Sequence, residues 1–420
     1  MIKAITGTKD ILPEDINKWN KVEAIVRNVM NNFNYKEIRT PVFEETALFS
    51  RGIGEATDIV SKEMYTFVDR SETSVTLKPE MTASVVRAFI EHSLGKKYGL
   101  NKLFYISPMF RQERPQAGRF RQFHQFGAEA LGSDNPMLDA EMIITSYKVM
   151  TELGLKNLAV KINSLGIPSS RENYKKVLKE YLSDKFDQLS EDSQKRFETN
   201  ILRIFDSKVE GDQKIMNEAP VLLDYLDEES KEKFEQVTSL LDGIKIPYEV
   251  DPKLVRGLDY YTHTTFEILS GSVGSQSALC GGGRYNLLVE QLGGAQTPGV
   301  GFAAGIERIL LACENENSLT LPEESIDIYV VRLDKELTQK ANEIAVTFRN
   351  ANLSTELDYT QRSVKAQMRE ANRLNAKYTL IIGGEEYERG EVVLKEMKLG
   401  EQKIFKLNSL PDIISAIKSV

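Results

Sequence analysis

Four arginines, Arg111, Arg114, Arg119 and Arg121, crowd the run FRQERPQAGRFRQFHQFGAE from Phe110 to Glu129, with one acid, Glu113, among them and no lysine. Guanidinium groups in place of ammonium groups suit planar, bidentate recognition of phosphate or carboxylate. Further along, Gln125 and Glu129 stand four apart. Residues two and four apart share a face of an extended strand, so both side chains point one way. One segment could therefore hold a polyanion at its arginine end and a polar, partly cationic ligand at its carboxylate end. A solvated surface hairpin would explain the charge, but it leaves Gln125 and Glu129 beside Phe123 and Phe126 without a reason.

These side chains need a hairpin to hold them. Alternation flanks the loop on both sides, and Pro115 and Gly118 break its middle, so Leu103–Arg111 and Gln122–Leu131 are expected as paired strands. Upstream, Trp19, Val22, Ile25, Val26, Val29 and Phe33 recur near helical spacing and predict a helix over Asp15–Phe33, with acids Glu14 and Asp15 where the helix dipole favours them. Tyr35–Phe43 alternates but contains Pro41, which suits an edge or interface strand. Gly52–Ser61 reads as a polar loop, and Tyr65–Asp69 and Val75–Lys78 as a second strand pair. Pro79 then opens a helix over Glu80–His92. Glu80 and Thr82 thus stand at a helix N-terminus directly after a strand, where capping is the economical reading of them taken alone.

The rest of the chain divides by pattern. Asp134-Asn135-Pro136 turns into a helix ending near Gly154, and Leu158–Ile162 is a short strand. Ser169 to about Leu241 is helical in pattern, acidic and poor in strand signals, as an inserted helical domain would be. Strand signals return at Tyr248 and run through VRGLDYYTHTTFEIL, whose polar members include Arg256, Tyr260, Tyr261 and Glu267. The triplet Gly281-Gly282-Gly283 reads as backbone that something packs against closely. Pro298–Phe302 leads into a helix expected over Ala304–Glu314, which carries Glu307 and Arg308. After Leu321-Pro322, strands and helices alternate, which argues an α/β domain. There Arg362, Lys365, Arg369 and Arg373 fall on one helical stripe, which fits either a solvated face or a phosphate-contacting surface.

Composition narrows the class. At 420 residues two or three domains are expected, and 41% hydrophobic with 28% charged content is ordinary for a soluble chain. No apolar run approaches a membrane span, and MIKAITGTKDILPED lacks the apolar core of a signal peptide. Cys280 and Cys313 form no paired framework, so the cytoplasm is the expected compartment. Neither they nor the three histidines show zinc spacing, and no tightly bound protein metal is expected. The net charge of −8 is a counter-signal for nucleic acid, softened because the acid concentrates in the helical stretch while the C-terminal region is near neutral. No P-loop is written: Gly95-Lys96 has no glycine at the required distance, and Lys97 stands where Ser or Thr is needed. Any bound ATP must therefore be held by arginines and strand edges.

The arginine hairpin is similar to motif 2 of the class II aminoacyl-tRNA synthetases in its histidyl form. LVRGLDYYTHTTFE (Leu254–Glu267) resembles the histidine-specific segment of that family, and GVGFAAGIERI (Gly299–Ile309) its motif 3. LKPEMTASVVRAFIEH (Leu77–His92), GTKDILPED (Gly7–Asp15) and YKEIRTPVFE (Tyr35–Glu44) resemble the segment before motif 2, the N-terminal start and motif 1. Several motifs in the right order, over the whole chain, make the resemblance to the histidyl-tRNA synthetase family specific. It implies an α+β fold. An antiparallel-sheet class II catalytic domain would occupy residues 1–168 and 248–320, interrupted by a helical insertion at 169–247 and followed by an α/β anticodon-binding domain at 326–420.

The resemblance also implies roles. Arg111 would contact the α-phosphate and the amino-acid carboxylate, Arg256 the α-phosphate from the other side, and Arg308 the γ-phosphate. Glu113 and Arg119 would join in ATP binding, with Mg2+ arriving on the outer phosphates as part of the substrate complex. Glu80, Thr82 and Gln125 would accept from the ammonium of L-histidine; Glu129 and Tyr261 would read its imidazole, with Tyr285 nearby. Arg114 and Gln116 would reach the acceptor end of tRNA(His). A homodimer with Tyr35–Glu44 at its interface is implied, and no membrane partner. The expected activity is histidine–tRNA ligation. The alternative is a non-catalytic, histidine-sensing regulatory subunit of histidine biosynthesis. Such paralogues lack the C-terminal domain and tend to lose the motif arginines, whereas here Arg111, Arg256 and Arg308 are present and an α/β domain follows.

Overall fold

The first long helix shows how the pattern becomes structure. In this computed structural model, which describes residues 2–54, 57, 59–115, 118–256, 258, 260–276 and 278–419, α1 runs Pro13–Asn32 and buries Trp19, Val22, Val26, Val29 and Met30. Burying each such aliphatic side chain contributes roughly 1.5–3 kcal/mol, so an aspartate at Val26 would be expected to detach this helix. The chain continues through β1 (Lys36–Glu37), β2 (Phe43–Glu45), α2 (Thr46–Ile53), β3 (Tyr65–Val68), β4 (Ser74–Leu77), α3 (Thr82–Glu91) and α4 (Leu94–Tyr98). The hairpin β5 (Asn101–Phe110) and β6 (Gln122–Leu131) follows, then α5 (Pro136–Glu152) and β7 (Leu158–Ser164). Four helices form the insertion: α6 (Pro168–Ser183), α7 (Glu191–Thr199), α8 (Glu210–Asn217) and α9 (Glu228–Gly243). Then come β8 (Glu249–Val250), β9 (Thr262–Ser270), β10 (Ala278–Arg284), α10 (Leu288–Gln291), β11 (Gly299–Gly305) and α11 (Ile306–Glu316).

The central sheet has the order β1-β5-β6-β11-β10-β9-β7-β8. Its six inner strands pair antiparallel, and the two-residue edge strands β1 and β8 pair parallel. One face packs on α1, α5, α9 and α11. The other packs on α3, α10 and helices α6–α8 of the insertion. A small sheet, β2-β4-β3, stands apart.

Three local expectations change. The strand expected over Tyr35–Phe43 shrinks to β1 and β2: Ile38 still donates to Phe104 O at 2.8 Å, but Pro41 has no N–H to continue a ladder. The loop expected from Gly52 begins inside α2 and ends in a π-helical turn, Ile59–Glu63; Glu55, Ala56 and Asp58 lie outside the described residues. Pro298–Phe302, expected to lead into a helix from Ala304, instead enters a central strand, Gly299–Gly305, paired on both sides, and the helix starts at Ile306.

Contacts divide the chain at Leu321/Pro322. The second unit holds β12 (Ile328–Arg332), α12 (Thr338–Asn350), β13 (Thr355–Leu357), α13 (Val364–Arg373), β14 (Tyr378–Ile382), α14 (Gly384–Glu388), β15 (Glu391–Glu396), β16 (Gln402–Lys406) and α15 (Leu410–Lys418). Its sheet order is β13-β12-β14-β15-β16, parallel over the first three strands and antiparallel over the rest. It has its own apolar core, with Ile344, Phe348 and Leu380 fully buried.

Candidate active site

The hairpin fixes the site by register. Gln125 pairs with Gly305 and Glu129 with Gly301, so both side chains rise on one face between β5 and β11. Glycine is required opposite Glu129: a Cβ on Gly301 would fall on the Glu129 carboxylate. Likewise a Cβ on Gly281 would fall on the Arg256 guanidinium, which accounts for one glycine of the triplet. Above these strands lies a cavity of about 320 Å³. Arg111, Glu113, Arg119, Arg256 and Arg308 line it together with Glu80, Thr82, Gln125 and Tyr261. Glu129 and Tyr285 stand behind this wall, fully buried. Arg114 is exposed in the hairpin loop, and Gln116 lies outside the described residues.

At the arginine end, charge is only partly compensated. Arg111 donates from Nε to Pro79 O at 2.9 Å and lies 5.3 Å from the Phe123 ring centroid. Arg119 donates to Glu113 at 3.0 Å. Arg308 donates to Ala278 O at 2.8 Å; burial and then the neighbouring Arg119 lower its pKa. Arg256 forms an ion pair with Glu267 and lies 5.7 Å from the Tyr261 ring centroid. Among the described residues, the buried Nε atoms of Arg119 and Arg256 find no hydrogen-bond partner. A polyanion entering the cavity would supply acceptors and offset the repulsion among the cations.

The inner end is a connected carboxylate network. Glu80 accepts from the backbone N–H of Thr82 at 2.8 Å and of Ala83 at 2.9 Å, so it does stabilise the start of α3 while also lining the cavity. Burial raises its pKa, against those two N–H groups. Thr82 Oγ1 donates to Glu129 Oε1 at 2.7 Å, and the Tyr285 hydroxyl donates to Oε2. Burial pushes the Glu129 carboxyl up to about 8, with the Tyr285 and Thr82 donors opposing the rise and Glu80 adding to it. Among the described residues, Tyr285 and Tyr105, rather than Tyr261, hydrogen-bond Glu129. Gln125 Oε1 is buried and, among the described residues, without a donor. An ammonium group is the kind of ligand it lacks.

Sequence reasoning had not given roles to Glu267, Tyr105 and Tyr260. Glu267 was visible as a polar member of a run with strand signals, but its pairing with Arg256 was not. Tyr105 sits opposite Gly127 with its hydroxyl 3.5 Å from Glu129, a closeness only register reveals. Tyr260 stacks against both Tyr261 and Tyr285, at 4.7 and 5.6 Å between ring centroids.

Comparison with known proteins settles the family. A family model described as histidyl-tRNA synthetase matches residues 7–309, and one described as an anticodon binding domain matches residues 327–417. The chain belongs to the histidyl-tRNA synthetase family. It is 49% identical over 412 residues to a histidine–tRNA ligase of Geobacillus sp. strain WCH70, covering 97% of each chain. It is 48% identical to one of Lysinibacillus sphaericus strain C3-41, covering 98% of this chain and 99% of that one. Among solved structures, the apo histidyl-tRNA synthetase of S. aureus covers 99% of this chain and 100% of its own, at 41% identity and a TM-score of 0.83. The antiparallel catalytic sheet followed by an α/β domain is the architecture expected of the family. The ligase reading of the motifs stands, and the regulatory-subunit alternative is not favoured.

Proposed function

We propose that this chain activates L-histidine with ATP to histidyl-adenylate and pyrophosphate, then transfers histidine to the 3′ end of tRNA(His). One observation carries the reading: four arginines converge on a cavity, and behind its inner wall stands a buried carboxyl group, Glu129, held by Thr82, Tyr105 and Tyr285. A histidine carboxylate oxygen bonds to the α-phosphorus as the bond to the β-phosphate oxygen breaks, so pyrophosphate leaves. No covalent enzyme intermediate is needed. Positioning and neutralisation of developing charge supply the rate.

In this reading Arg111 and Arg256 flank the α-phosphate, and Arg111 also takes the carboxylate. Arg308 holds the γ-phosphate, with Arg119 and Glu113 completing the nucleotide site. Mg2+ enters with ATP, on its outer phosphates. Glu80, Thr82 and Gln125 surround the ammonium group; the buried oxygen of Gln125, without a donor among the described residues, supports this. Glu129, with Tyr285 and Tyr261, reads the imidazole. An apolar isostere would leave these buried polar groups unpaired, which rejects it strongly. Arg114 and Gln116 meet the acceptor end of the tRNA, and residues 326–420 bind its anticodon region. Residues 169–247 form the helical insertion between the catalytic parts at 1–168 and 248–320. The working form is a cytoplasmic homodimer that joins through Tyr35–Glu44, where Val42 and Phe43 are exposed.

Histidine-dependent ATP–pyrophosphate exchange, followed by charging of tRNA(His), tests the reading. Folded protein that binds histidine without exchange would return the regulatory alternative.

A further inference from the structure

His263 ties the helical insertion to the histidine-binding segment through both its backbone and its side chain. On β9, Thr265 pairs with Gly283 and Thr262 with Arg284, so His263 and Thr264 are extra residues with no partner on β10. Such a bulge re-aims the residues next to it. His263 has φ +44°, a left-handed conformation that L-residues with a Cβ rarely adopt. Its backbone is gripped from the segment leading into the insertion: it donates to Gly166 O at 2.9 Å and accepts from Leu165 N at 2.7 Å. Its buried imidazole lies on the other junction, with Nδ1 3.4 Å from Ser230 Oγ in the first turn of α9. Ser230 donates to Asp227 at 2.7 Å, and Ser170 at the start of α6 donates to the same carboxylate at 2.9 Å. Asp227 thereby pins the first and last helices of the insertion together, and Ser230 links that pair to His263.

The segment held this way is the one that carries the tyrosines. Tyr261 stands two residues before His263, and Tyr260 packs on both Tyr261 and Tyr285. These rings belong to the same buried apolar cluster as Tyr174 and Leu178 of α6 and Ile204 farther along the insertion. The insertion is therefore part of the wall that supports the pocket.

We propose that His263 is a positioning residue for amino-acid selection, through which the insertion sets the placement of Tyr260 and Tyr261. The left-handed bulge aims the tyrosines, and the Ser230–Asp227–Ser170 chain holds the bulge. The inference rests on the ligase reading above and assigns the insertion a part in histidine binding.

The test is ATP–pyrophosphate exchange by the full-length protein, with KM for histidine and for ATP measured separately. His263→Ala keeps the awkward backbone demand but loses the imidazole, and is expected to raise KM for histidine about tenfold with KM for ATP within about twofold. His263→Asn, a residue that visits the left-handed region and keeps a polar side chain, is expected to recover most of that loss. Ser230→Ala, away from the cavity, should raise KM for histidine about threefold, which keeps the proposal open to refutation even if His263→Ala fails to fold. Equal changes in both KM values, or an unchanged KM for histidine in folded Ser230→Ala and His263→Ala, would overturn it. A wild-type protein without exchange overturns the ligase reading and this inference together; a wild type that exchanges beside unaffected variants overturns this inference alone.

Discussion

The two ends of the β5–β6 hairpin solve opposite electrostatic problems. At the loop end, Arg111, Arg119, Arg256 and Arg308 share one cavity with Glu113 and Glu267, and two buried guanidinium Nε atoms lack partners among the described residues. At the sheet end, Glu129 is fully buried and already receives hydrogen bonds from Thr82 and Tyr285. In the proposed reading the first end is finished by its ligand, whose charge would relieve repulsion that folding left in place. The second is finished by the protein, which holds the Glu129 carboxyl group in place before any ligand arrives. Loss of a group should therefore act on reaction rate at the first end and on ligand selection at the second.

The sharpest way to break that comparison is Arg256→Ala. Removal of one preorganised charge donor costs about 10²–10³-fold in rate, so exchange should fall by that order while histidine binding stays detectable by calorimetry. An unchanged exchange rate would remove Arg256 from the chemistry. Next in size is Glu129→Gln at the other end. The amide keeps the shape but cannot offer the same acceptors to an imidazole, and histidine affinity should fall by roughly tenfold or more, with KM for ATP little changed. Unaltered histidine affinity would refute the role of Glu129. If both variants lost rate and affinity in the same proportion, the two ends would not be separate functions at all.

How much of this could be read beforehand depended on whether a signal was local. Arg111, Gln125 and Glu129 were legible because a strand's two-residue period puts them on one face. The hairpin strands, expected at Leu103–Arg111 and Gln122–Leu131, form at Asn101–Phe110 and Gln122–Leu131. Helix α12 likewise follows from its own apolar spacing. Gly299–Gly305 misled because glycine and alanine give neither alternation nor β-branching; its strand state comes from neighbours on both sides. The pairing of Arg256 with Glu267, and the contact of Tyr285 with Glu129 across 156 positions, depend on how the sheet closes and leave no local trace.

Titration offers a smaller effect with a fixed sign. Burial pushes the Glu129 carboxyl from 4.5 up to about 8, so the folded protein keeps a proton that the unfolded chain releases. This group's contribution to stability is fully present below the lower value and is lost as pH rises through the upper one. Glu129→Gln cannot titrate there. The Tm of the wild type relative to this variant should accordingly fall between about pH 5 and about pH 8. A difference that stays constant, or grows with pH, would mean that the donors at Glu129 outweigh its burial and that the inner end holds a charged carboxylate.

The smallest effects are expected in the C-terminal unit, where the same contrast between satisfied and unsatisfied charge divides one basic stripe. Arg362 is committed: it bonds the buried Asp358 at 2.8 Å and lies 3.2 Å from Glu370, which also pairs with Arg373. Burial works against the Asp358 charge, but the Arg362 hydrogen bonds hold its carboxyl down at about 2. Lys365 and Arg369 are exposed and, among the described residues, form no ion pair. Only these two are free to meet phosphate. The double variant Lys365→Ala/Arg369→Ala should weaken tRNA binding a few-fold at low salt and reduce the salt dependence by about one unit of slope per lost contact, with histidine-dependent exchange unchanged. Arg362→Ala should instead lower the Tm of the protein, because it leaves a buried carboxylate short of its main partner. If Arg362→Ala weakened tRNA binding at unchanged Tm while the double variant had no effect, the stripe would be read backwards, and free charge would be no guide to where the nucleic acid lies.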